Sequence, residues 1–130
     1  FPANVLPWRR MARYGAVPQA LDAWDTVLAE GGWPDGTRLL AVSTVDFSTG
    51  TEQSWQALAA LAQARGAWAC VDAVQSAGVK PCWTPDVDFW CAGTQKWLLS
   101  GIGLCVAVLG ERWMRELEPP FPAWLSLREP

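Results

Sequence analysis

Two short strings hold the groups in this chain best suited to covalent chemistry on a carbonyl compound. They are Asp72-x-x-Gln75 and Thr94-Gln95-Lys96-Trp97. A lysine amine adds to a carbonyl carbon to form an imine and can then carry protons as acid or base. A carboxylate beside a cationic partner favours the charged form, so Asp72 can keep a neighbouring cation protonated. The Gln75 amide offers a donor to an oxygen of the same ligand, and a three-residue step lets both side chains reach one ring. Alone, each signal is weak. Asp-x-x-Gln is common, a single lysine after a strand is usually a solvated charge, and Gly101-Ile-Gly103 reads more simply as a tight turn than as a phosphate loop.

These residues need strand ends to hold them. Helix and strand patterns alternate along the chain, the signature of an α/β domain with a mostly parallel sheet. Leu21, Trp24, Val27 and Leu28 share a helix face that Gly31-Gly32 ends. Residues 38–43 form a compact apolar run suited to a buried strand. Trp55, Leu58, Ala59 and Ala62 have i, i+3, i+4, i+7 spacing, which predicts an amphipathic helix ending near Gly66. A strand follows over 67–71 with Asp72 at its C-terminal end, then a turn closed by Gly78, Pro81 and Pro85. Residues 87–92 read as a strand leading into a Gly93–Gly103 loop, 104–109 as another, and 111–117 as the start of a helix. Open α/β sheets bind ligands at strand C-termini, where Asp72 and Lys96 fall.

Composition narrows the function. The 130 residues suffice for one core but not for two ordinary domains. A net charge of −3 without a basic run argues against nucleic acid. Histidine is absent, which excludes a Ser-His-Asp triad, a Cys-His pair and any His-containing metal site within this chain. Cys70, Cys82, Cys91 and Cys105 lack CxxC spacing and read as buried free thiols of a reducing compartment. No apolar stretch approaches the ~20 residues a membrane helix needs, and the cytoplasm is the expected location. Ten tryptophans is a large number for this length; some belong in the core and others against surfaces that this chain alone leaves uncovered.

Taken together, the motifs and their order carry a resemblance. The stretch CVDAVQSAGVKPCWTPDVDFWCAGTQKWLLSGIG over residues 70–103 resembles the cofactor-binding core of the class V aminotransferase superfamily. These fold-type-I pyridoxal-phosphate (PLP) enzymes include cysteine desulfurases, kynureninases and isopenicillin-N-epimerase-like proteins. VS-x-V-x-x-x-x-G at Val42–Gly50, D-x-x-Q-S-x-G at Asp72–Gly78, Asp88-Phe89 and T-x-K-W at Thr94–Trp97 stand in the family's order. The resemblance covers roughly Leu40 to Leu127, including Pro119–Ser126, where Ala123 replaces a typical glycine. It implies that Lys96 is the Schiff-base lysine, that Asp72 faces the pyridine nitrogen and that Gln75 faces the phenolic oxygen. Thr94 stands where the family commonly binds phosphate, and Gln95 joins the cofactor site. The implied reaction acts on a small-molecule amino acid as an aminotransferase, an epimerase, or a cysteine desulfurase or selenocysteine lyase. A cytoplasmic homodimer with no nucleic-acid or membrane partner is implied too.

Departures from the pattern sharpen the reading. Gln95 stands where cysteine desulfurases carry His before the lysine, and Phe47 where they carry Asn near the cofactor oxygen. Both favour the kynureninase-, epimerase- or selenocysteine-lyase-like branches. A ring-stacking aromatic is expected upstream and a substrate-clamping arginine downstream. None of the four cysteines matches a catalytic position. The expected organisation is one partial domain over 1–130, the central part of a PLP-binding large domain, with 119–130 starting the connection out of it. Bland roles are expected elsewhere: turns or strand ends for Asp46 and Asp88, turn hydrogen bonds for Ser43 and Ser76, packing under the lysine loop for Trp97, and solvent for Arg9 and Arg10. A truncated, non-catalytic remnant or α/β binding module is the alternative. A flavodoxin-like domain is disfavoured, because no Gly-rich loop follows the first strand.

Overall fold

A computed structural model describes residues 1–20 and 24–118. One four-stranded sheet runs in the order β1-β2-β3-β4, with β1 at Leu39–Ser43, β2 at Trp68–Asp72, β3 at Phe89–Gly93 and β4 at Cys105–Leu109. β1, β2 and β3 are parallel, and β4 returns antiparallel to β3. The helices are α1 (Leu6–Arg10), α2 (Trp24–Glu30), α3 (Trp55–Ala64) and α4 (Glu111–Glu116). The α/β class with a mostly parallel sheet and flanking helices is therefore as the alternating pattern predicts.

Strand alternation sends Leu40, Val42, Ala69, Val71, Trp90 and Ala92 to one face of the sheet, where all are buried. The apolar stripe of α3 supplies Trp55, Leu58, Ala59 and Ala62 to the same core. α3 ends in a Schellman motif: Gly66 adopts φ +70, its N–H bonds the Gln63 carbonyl at 3.0 Å, and the Ala67 N–H reaches back to Ala62 at 2.9 Å. Asp88, buried at the entry to β3, ties the layers together. Its Oδ2 accepts the Ala69 N–H at 2.8 Å, and Gln63 of α3 donates to both carboxylate oxygens at 3.2 Å.

On the opposite face, α4 lays Trp113 against Phe89 (ring centroids 5.3 Å apart) and against Trp68 (6.1 Å). Arg112 sits 4.0 Å over the Trp68 ring and donates to the carbonyls of Ala67 and Gly66. Trp33, Trp55 and Trp90 are buried in the core, whereas Trp83 and Trp97 are exposed.

Some details differ from expectation. α2 carries the predicted Val27 into the core and Leu28 against it, while Leu21 lies outside the described residues. Residues 119–130, with Ala123, lie outside them as well. α1 and two 3₁₀ turns, Pro2–Asn4 and Met11–Tyr14, are too short to reveal a hydrophobic period and were not anticipated. All four cysteines are free, but none is fully buried: Cys70, Cys82 and Cys91 are half-buried, and Cys105 is exposed because it lies on β4, whose residues are all exposed. No helix among the described residues is long and apolar enough to cross a membrane.

Candidate functional site

Parallel pairing brings the C-terminal ends of β1, β2 and β3 to one edge of the sheet, and the loops leaving those ends build a shared cavity. Its polar wall comprises Ser43, Asp46, Asp72, Gln75, Gln95 and Lys96, and Phe1, Phe47 and Val74 add apolar surface. The cavity has a volume of about 90 Å³ and is open to solvent. Four of the five residues singled out from the sequence therefore converge: Asp72, Gln75, Gln95 and Lys96. Thr94 does not line the cavity.

Asp72, the last residue of β2, is half-buried and held from two sides. Its Oδ1 accepts the Val74 N–H at 3.0 Å, the donor being supplied by the turn that follows the strand. The Ser43 hydroxyl approaches Oδ2 at 3.5 Å, a long and weak contact. Behind it, Asn4 donates to Ser43 at 3.1 Å, and the Trp8 indole donates to Asn4 at 3.3 Å. Register explains the meeting, since Ser43 and Asp72 are direct partners across β1 and β2 and share a face. Turn bonding expected of Ser43 is thus replaced by a contact to the site carboxylate.

The lysine loop leaves β3 at Gly93 and closes on itself. Leu99 N–H bonds the Lys96 carbonyl and Ser100 N–H the Thr94 carbonyl, each at 3.0 Å. The buried Thr94 hydroxyl faces the Gly101 and Leu104 carbonyls at 3.0 and 3.2 Å, so its single proton is committed inside the loop. Gln95 folds back over Gly93, where any Cβ would collide with its amide. Trp97 does not pack beneath the loop. The residue is 51% exposed, and its backbone carbonyl makes the inward contact, against Gly78.

Lysine occurs at only two positions, and the pair divides the roles. Lys80 forms an ion pair with Glu52 on the surface. Lys96 lines the cavity, and neither it nor Gln75 makes a side-chain hydrogen bond or ion pair among the described residues. An amine, an amide and a carboxylate thus face one space with the amine and the amide uncommitted.

Neighbouring acids and thiols have structural duties. Asp46 Oδ1 collects the Ser48 hydroxyl and N–H and the Thr49 N–H and hydroxyl, at 2.6 to 3.0 Å. Those donors, the Ser48 hydroxyl first and the Thr49 amide next, hold its carboxyl well below the usual range. Ser76 and Thr44 share a buried 2.7 Å hydrogen bond that joins the turn after β2 to the loop after β1. Burial pushes the Cys70 thiol up to about 12, with smaller contributions from Cys91 and Asp72. Cys91 is raised likewise, by burial first and then by Asp72. Among the described residues no group of three or more His, Cys, Asp or Glu side chains is placed to hold a metal ion.

The family model for class-V aminotransferases matches residues 1–123. "Uncharacterized aminotransferase YcbU" of Bacillus subtilis (strain 168) is 30% identical over 137 residues, covering 97% of this chain and 35% of that protein. The apo structure of cysteine desulfurase from Thermococcus onnurineus NA1 superposes with a TM-score of 0.75 at 26% identity, over 94% of this chain and 32% of that one. The chain spans about a third of the length of each of these relatives.

Proposed function

The chain belongs to the class-V aminotransferase family, and on that premise we propose that it is the cofactor-binding core of a PLP enzyme acting on an amino acid. One observation carries the reading: the cavity at the strand ends gathers Asp72, Gln75 and Lys96 in its lining. The donor set fits the ring end of the cofactor. Asp72 would hold the proton on the pyridine nitrogen, Gln75 would donate to the phenolic oxygen, and Lys96 would be the covalent anchor. Thr94 would reach the phosphate only by releasing the carbonyls its hydroxyl now faces. Bound PLP supplies an electron-accepting ring that makes the amino acid's α-proton acidic. Lys96 would serve as the base or acid at that carbon, since it is the cavity's only amine-bearing side chain among the described residues.

The reading extends to branch and organisation. Gln95 and Phe47, both at the cavity, favour a kynureninase-, epimerase- or selenocysteine-lyase-like branch over cysteine desulfuration. Residues 1–130 form the central part of a large domain in a homodimeric, cytoplasmic parent protein.

The visible absorption of the full-length protein with added PLP, recorded beside Lys96→Ala, tests the proposal. Reduction with borohydride and peptide mapping follow. A band absent from the variant, with the reductive label on Lys96, is the expected result. A folded full-length protein without a band overturns the PLP reading in favour of a non-catalytic remnant, and a label confined to Lys80 overturns the role of Lys96.

A further inference from the structure

Two segments line the cavity, the turn carrying Asp72 and Gln75 and the loop carrying Lys96, and behind its lining they approach closely at Gly78. Its backbone has φ +100, a conformation that L side chains rarely adopt. A Cβ there would lie 2.7 Å from the Trp97 carbonyl oxygen, 3.0 Å from its carbon and 3.3 Å from the Leu98 nitrogen. The obstacle is backbone, immediately after Lys96, so it cannot be relieved by rotating a side chain.

Both partners are braced. The turn is held by Ala77 N–H to Ala73 O at 2.8 Å and by the buried Ser76–Thr44 bond. The loop is held by the Thr94 hydroxyl and by its own two backbone closures. Leu99, within that closure, has φ +54 and is the one non-glycine residue with positive φ among the described residues. A loop kept in a strained turn while pressed on a glycine has its position fixed by that contact.

We propose that Gly78 is a positioning residue: its missing side chain sets the separation between the Asp72–Gln75 turn and the Lys96 loop, and hence where the lysine amine stands in the cavity. The inference rests on the PLP reading for its catalytic meaning but not for its geometry.

The test compares Gly78→Ala with Gly66→Ala in the full-length protein. Gly66 also has positive φ, +70, but nothing lies within 4 Å of its Cβ position, so its variant carries the backbone strain without the contact. Amide exchange is followed by mass spectrometry in the apo protein. Gly78→Ala should speed exchange across residues 94–100 by about tenfold, and Gly66→Ala should leave that peptide unchanged. In the PLP-loaded protein, Gly78→Ala should shift the visible band and lower kcat by about 10²-fold with a smaller effect on KM. Unchanged exchange across 94–100 in Gly78→Ala overturns the proposal, even if no PLP binds at all. Should Gly78→Ala not fold, Gly78→Ala/Leu99→Gly decides, because glycine at 99 lets the loop withdraw from the new methyl. Recovery of folded protein supports the contact, and a double variant as unfolded as the single one overturns it. Absence of a band in the wild type, with the exchange result as expected, would refute the cofactor reading alone.

Discussion

Cys70 and Cys91 point to the same face as Asp72, in the register rows Ala41–Cys70–Phe89 and Ser43–Asp72–Cys91. Their thiols are kept protonated by burial first and by neighbouring negative charge second, so neither is a nucleophile at neutral pH. Cys105 is exposed on β4. Alkylation with iodoacetamide near pH 8 should therefore modify Cys105 first and Cys70 last, as read by peptide mass spectrometry. Early labelling of Cys70 would contradict its burial. The same shift has a stability consequence with a definite sign. A folded-state pKa raised above the unfolded value means that the folded chain holds a proton the unfolded chain has released. The contribution is complete below about pH 9 and is lost as pH rises toward about 12, so urea midpoints should fall across that window. Cys70→Ala should flatten the decline.

Among the elements, α3 was legible from its period, and the four strands as short apolar runs between turn residues. Trp55, Leu58, Ala59 and Ala62 are the buried residues of α3, the positions that its spacing selects. The short turns over residues 2–14 offer no period, and the sequence concealed them. At the site, Asp72, Gln75, Gln95 and Lys96 were legible because they follow strand ends, a local property. Ser43 reaches Asp72 only through inter-strand register, and Gly78 meets Trp97 only in three dimensions; neither contact is written in spacing. Thr94 lies in the predicted place, but its hydroxyl faces the carbonyls of its own loop. Asp88 joins α3, β2 and β3 through Gln63 and the Ala69 amide. Asp88→Ala should cost about 2 kcal/mol, because it leaves the buried Ala69 N–H without its acceptor and Gln63 with only the Asp86 carbonyl. Urea unfolding of Asp88→Ala beside Asp88→Asn would measure this, with the larger loss expected in the alanine variant.

At the scale of the molecule, the sheet is closed in the middle and open along β4. β4 is exposed along its whole length, and Leu99 and Ile102 before it are 89% and 92% exposed. No lysine, proline or charged residue guards this edge strand, whose sequence is Cys-Val-Ala-Val-Leu. Produced alone, the 130-residue chain should self-associate, and light scattering behind size exclusion should find species larger than 14.2 kDa. Val106→Lys, placed on the open strand, should reduce that association, and an unchanged mass distribution would locate the contact elsewhere. One last consequence concerns time. Strand order in space repeats strand order in the chain, so β2 meets β1, β3 meets β2 and β4 meets β3 as each leaves the ribosome. Among the described strands, none has to be threaded between two that are already paired. Assembly can therefore run in the direction of synthesis, and the cavity is completed only when Lys96, its most C-terminal lining residue, has emerged.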